Sequence, residues 1–195
     1  MNDTAQTRLR AGFELIDGAL ETAADAIDRV EDDIARQRLR HSWERLNRAR
    51  RMAHTMLERL DGETGDAADL LSREVEREIH QLDAEVALLN SELRSELATT
   101  VDDYRAAARE QLLAWRSRLD ELRVQAALAR MEIRDDVDAA LDRMEGHYHD
   151  AAHHLHTAGP QTVLAALRQK VRRLLGDVRD AAAAASDGLA GGPQS

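Results

Sequence analysis

The sequence predicts an all-α protein, a long antiparallel helical hairpin or an elongated three- to four-helix bundle of coiled-coil type. Residues 66–145 run eighty positions without a glycine or proline. Glycine costs a helix interior about 1 kcal/mol and proline about 3 kcal/mol, so their absence favours helix throughout that stretch. Aliphatic residues recur every three to four positions along most of the chain, which gives each helix one apolar face. Only 3% of residues are aromatic and 33% are charged, too little bulk for a broad core and enough for narrow helix seams.

The first helix is predicted over residues 4–60, with Asp3 or Thr4 capping its start. Leu9, Phe13, Ile16, Leu20, Ala23, Ile27, Val30 and Ile34 alternate steps of four and three. The stripe shifts phase between Ala35 and Arg38 and resumes as Leu39, Trp43, Leu46, Ala53, Leu57 and Leu60, so packing should change there. Asp61 to Asp66 supplies two glycines and several acids, a reversal that ends in a helix cap.

The second helix is predicted over 67–157. Its stripe passes from Val75 through Leu93, Leu97, Val101 and Tyr104 to Leu122, Ala129, Ile133 and Leu155 without losing phase. The mean step of about 3.64 residues lies between an ideal helix and a hendecad, so little left-handed supercoil is encoded. The alternative is a break near 98–100, where Thr100 and Asp103 imitate a capping box. Ala158-Gly159-Pro160 stops this helix. A third is predicted over 161–186 on Leu164, Leu167, Val171, Leu174, Val178 and Ala182, with Gly176 its weak point. Residues 1–187 then form one elongated domain and 188–195 a glycine-rich tail.

The chain has no cysteine, which excludes disulfides and thiolate chemistry and suits a reducing, cytoplasmic setting. No signal peptide or membrane-spanning run is visible. The net charge of −10 disfavours nucleic acid, but it conceals a local asymmetry. Residues 1–35 carry nine acids and three arginines, and residues 36–60 carry eight arginines and two acids. Arg36, Arg40, Arg45, Arg48 and Arg51 form a candidate patch for an anionic partner, since guanidinium pairs bidentately with phosphate. The competing reading, charge pairing between neighbouring helices, carries more weight, because acids lie close by at Asp25 to Asp33.

His147, His149, His153, His154 and His156 lie within ten residues. His149, His153 and His156 share one helix face with Glu145 and are candidate ligands for zinc, nickel or copper, with a pH response as the second reading. A compact site would need a further ligand from another segment, because one straight helix spreads these residues along its axis. There is no glycine-rich phosphate loop, no Gly-x-Ser-x-Gly elbow and no paired-carboxylate site, so neither enzyme activity nor a cofactor is expected.

The stretch from Leu112 to Met144, with Arg-Leu-Asp-Glu-Leu-Arg-Val at 118–124, resembles apolipoprotein repeats in mixed charge and near-hendecad spacing, although it lacks their punctuating proline. That resemblance implies a lipid-surface amphipathic helix as the alternative function. The primary expectation is a non-enzymatic scaffold or adaptor that binds protein and forms homo-oligomers. A 91-residue helix would outrun a 57-residue neighbour and leave apolar seam exposed.

Overall fold

The computed structural model describes residues 3–128, 131–159 and 162–190. They form six helices and no strand: α1 (Asp3–Ile27), α2 (Asp33–Leu60), α3 (Asp66–Leu97), α4 (Val101–Leu128), α5 (Met131–Thr157) and α6 (Leu164–Ala190). The all-helical prediction holds, but the helices are shorter and more numerous. Contacts divide the chain into two compact units, residues 1–97 and 98–195, where the spacing predicts one elongated domain. Each unit packs three successive helices against one another.

The predicted first helix breaks between Ile27 and Asp33, a correction that needs neither glycine nor proline. Asp28, Glu31, Asp32 and Asp33 supply the reason. Inside a continuous helix these acids would crowd at three- and four-residue spacing, whereas at a helix start they meet the positive end of the dipole. Asp32 accepts the Ala35 amide at 2.9 Å and caps α2. Arg36 donates to the Val30 carbonyl at 2.7 Å, and Val30 itself is buried, which anchors the turn. Ile34, predicted on the stripe, is consequently 80% exposed, while its neighbour Ala35 enters the core.

The predicted second helix also breaks. Thr100 starts α4 as the alternative expected, its hydroxyl accepting the Asp103 amide at 3.1 Å and donating to the Asp103 carboxylate at 2.7 Å. Aspartate is too short to reach the cap's backbone amide as glutamate would, so it holds the threonine hydroxyl instead. Unbroken phase through Leu97 and Val101 signalled one continuous face, and both short helices use that face for burial. A further end falls at Leu128. Ala129, placed on the predicted stripe, lies outside the described residues, but α4 and α5 on either side of it pack against each other, so one rod does not run through.

The other two boundaries follow the sequence closely. Between α2 and α3, Gly65 adopts φ 67°, a left-handed conformation open to glycine without a Cβ clash. α5 ends at Thr157 as the Ala158-Gly159-Pro160 stop predicts. The last helix begins at Leu164, three residues later than predicted, and extends to Ala190.

In the first unit Leu9, Phe13, Ile16 and Leu20 from α1 meet Leu39, Leu46 and Leu57 from α2 and Val75, Leu82, Val86 and Leu89 from α3. Each such side chain, fully buried, contributes about 1.5–3 kcal/mol. Gly12 lets α1 approach α3, since a Cβ there would lie 3.2 Å from the Ile79 Cγ2. Trp43 reaches from α2 to donate its indole N–H to the Leu20 carbonyl at 2.8 Å. The core of the second unit uses Tyr104, Leu112, Trp115 and Leu122 from α4, Val137, Leu141 and Met144 from α5, and Val171 and Val178 from α6. Ala140 and Ala151 on α5 and Ala181 and Ala185 on α6 are also buried, small residues that let two helices come close. No helix among the described residues is long and apolar enough to cross a membrane.

Candidate functional site

The two charge-rich tracts singled out in the sequence meet different fates. In α2 most of the arginines are engaged by acids of the same unit. Arg50 pairs with Asp17 at 2.7 Å, Arg45 with Glu85 at 3.1 Å, and Arg40 with Asp28. Arg36 pairs with Asp33 on its own helix, and Arg38 with Glu96 at 3.1 Å. The Glu96 side chain is only 5% exposed, which shields that pair from solvent.

The order of these pairs explains how the asymmetry is absorbed. Arg10 of α1 reaches Asp61 just past α2, while Asp17 meets Arg50 and Asp28 meets Arg40. Rising numbers on one helix match falling numbers on the other, so α1 and α2 run in opposite directions, joined by a turn of five residues. The acid-rich 1–35 segment therefore folds directly back on the arginine-rich 36–60 segment. Of the five candidate anion-binding residues, only Arg48 and Arg51 remain exposed and outside any ion pair among the described residues.

The histidines occupy two flanks of α5. His147 faces α6, its Nδ1 3.9 Å from the Asp177 carboxylate. His149, His153 and His156 are exposed on the opposite side, with His149 3.7 Å from Glu145 one turn earlier. The structure does not draw these three together with a further ligand. Among the described residues no group of three or more histidine, aspartate or glutamate side chains is arranged to hold a metal ion. Helical rise contributes to this, since His149 and His156, seven residues apart on a straight helix, are separated by about 10 Å along the axis.

Arginines on α4, which the sequence reading passed over, complete the picture. Arg123 pairs with Glu145 and thereby fixes one flank of α4 against α5. Stepping back along α4 by seven, seven and four residues reaches Arg116, Arg109 and Arg105, all on that flank. Arg105 pairs with Asp102 at 3.5 Å. Arg109 and Arg116 are exposed and make no ion pair among the described residues. The seven-residue spacing was visible in the sequence, but which flank met a neighbour was not.

Beyond charge, the second unit holds an aromatic site of structural character. The Arg168 guanidinium lies 5.7 Å from the centre of the Tyr104 ring and donates to the Ala98 carbonyl. It ties α6 to the segment that precedes α4. Comparison with protein-family models, curated proteins and solved structures finds no match to the chain.

Proposed function

We propose that the chain is a non-enzymatic, coiled-coil-like interaction protein, a scaffold or adaptor that self-associates through helix faces outside its two cores. The observation that supports this reading is a set of large aliphatic side chains left in solvent. Leu15 is 76% exposed, Met52 70% and Leu70 66% in the first unit, and Leu113 and Val124 are each 63% exposed in the second. Both cores are already closed by their own helices, so these residues are not an unfinished interior. Apolar surface left wet disfavours the monomer by about 25 cal/mol per Å², and contact between copies recovers it.

The long exposed seam foreseen from a 91-residue helix is not the source of association, because the broken helices bury that stripe within each unit. Association therefore works through surface faces and is modest in strength. Sedimentation equilibrium over a wide concentration range tests the reading directly. A mass rising above 21.8 kDa with concentration is the expected result, and Leu15→Glu together with Met52→Glu should shift the curve toward monomer. A constant monomer mass at all concentrations would overturn it.

A further inference from the structure

We propose that the first unit exchanges α1 between two copies of the chain. The α1–α2 turn straightens into one rod, each copy's α1 packs in the place of its partner's, and Ile34 lies at the twofold axis.

The register of the hairpin carries the proposal. Arg10 pairs with Asp61, Asp17 with Arg50 and Asp28 with Arg40. The midpoints of these pairs in residue number fall between 33 and 36, so two straightened copies laid antiparallel with the same pairs are centred on Ile34. A twofold axis brings a residue at that centre onto its own counterpart. In the closed hairpin Ile34 is 80% exposed. It continues the α1 stripe after Ile27 and Val30 at steps of three and four, so in a rod it joins the apolar face that meets the partner. The hairpin leaves this side chain in solvent, and exchange covers it with a second copy of itself.

The turn is suited to opening. Its five residues include neither glycine nor proline. No non-glycine residue among those described has positive φ, and Asp32 holds φ −70° with ψ 110°, so it departs from a helix in ψ alone. Arg29 and Val30 donate to the carbonyls three residues back, which carries the winding of α1 as far as Val30. Straightening gives up the Asp32 cap on the Ala35 amide and the Arg36 bond to the Val30 carbonyl, and replaces them with helical bonds through the turn. The crowding of acids that favours the break is offset in the rod, where Arg29 stands four residues before Asp33 and Arg36 four after Asp32.

The contacts that hold α1 survive the exchange. Gly12 lies against Ile79, the Leu20 carbonyl accepts the Trp43 indole N–H, and the three ion pairs join α1 and its end to α2 and the turn after it. A partner's α1 makes all of these equally, so the first core is conserved and the contact at Ile34 is added. Exchange goes beyond the face-to-face association proposed above, which uses Leu15 and Met52 and leaves each core within one chain.

Refolding the full chain from denaturant at high concentration, followed by dilution and size-exclusion chromatography, provides the test. A dimer should persist after dilution, because its return to monomer requires the first unit to open. Asp33→Pro should lower that dimer about tenfold or more, since proline suits the first position of α2 and the extended Asp32 before it but not the interior of a rod. Asp32→Ala removes the cap and should raise the dimer about fivefold. The chain has no cysteine, so Ile34→Cys should oxidise to a cross-linked species in the dimer fraction and not in the monomer fraction. Leu15→Glu with Met52→Glu should leave this dimer intact even where it abolishes reversible association, so the two readings fail separately. A wholly monomeric refolded chain, a dimer indifferent to either turn substitution, loss of the dimer in the Leu15 and Met52 variant, or an Ile34→Cys dimer that does not cross-link would each overturn the proposal.

Discussion

The two three-helix units pair their charges to different extents. In the first, arginines of α2 meet carboxylates from α1, α3 and the α1–α2 turn, and acid-rich and base-rich segments close on each other across that five-residue turn. In the second, Arg109 and Arg116 stay exposed and make no ion pair among the described residues. The comparison teaches that a basic tract in a sequence marks a binding surface only when folding leaves it without acids. The conspicuous tract at 36–51 is largely paired with acids, and in the less conspicuous α4 repeat Arg105 and Arg123 are paired while Arg109 and Arg116 make no ion pair among the described residues.

Packing differs as well. Leucine and isoleucine dominate the first core, while buried alanines on α5 and α6 carry much of the second. Each unit also contains one tryptophan, Trp43 in the first and Trp115 in the second, so single-tryptophan variants report on each separately. The largest expected effect uses that separation. Ile16→Ala should destabilise the first unit by about 2–5 kcal/mol, read by Trp43 fluorescence in denaturant with Trp115 replaced by phenylalanine. If the Trp115 signal, measured with Trp43 replaced, falls by the same amount, the units do not melt separately and the contrast fails.

A smaller effect is expected where alanines set the spacing. Ala185→Leu should strain the α6 packing by about 1–3 kcal/mol, read at Trp115 and not at Trp43. No loss at Trp115 would show that close approach is not what those alanines provide.

Next come the two helix starts that divide the predicted rods. Asp32→Ala and Thr100→Ala should each lower stability by about 1 kcal/mol through loss of a cap bond, the former in the first unit and the latter in the second. Urea titrations of both variants check this, and a neutral outcome would mean the breaks are imposed by packing alone.

The smallest effect concerns exposed ion pairs. Arg40→Gln should change stability by less than about 1 kcal/mol, and the difference should shrink as salt is raised. A larger, salt-resistant loss would place charge pairing among the principal supports of the first unit, sharpening the contrast with the second.

Much of this fold was legible. The stripe residues Phe13, Leu39, Val86, Leu122 and Val171 are buried as their spacing predicts, because a helical face of regular aliphatics has one low-energy destination. The stops at Asp61 to Asp66 and Ala158-Gly159-Pro160 were legible too, since glycine and proline act locally. The breaks after Ile27 and Leu97 were harder to see. They depend on acids and a threonine whose capping value equals only about 1 kcal/mol, comparable with the helical turns they interrupt. The candidate site shows the same division. His149, His153 and His156 could be placed on one face from spacing, yet the carboxylate that His147 faces comes from another helix.

Alone, the order of residues determined that this protein is helical, which face of each helix is apolar, and where its glycine and proline stops fall, because these properties are set within a few turns of chain. Tertiary structure decided that the predicted rods fold into two units, which arginines find carboxylates, and which remain exposed. Those outcomes depend on residues far apart in sequence arriving at the same height on adjoining helices, and local spacing carries no record of that height.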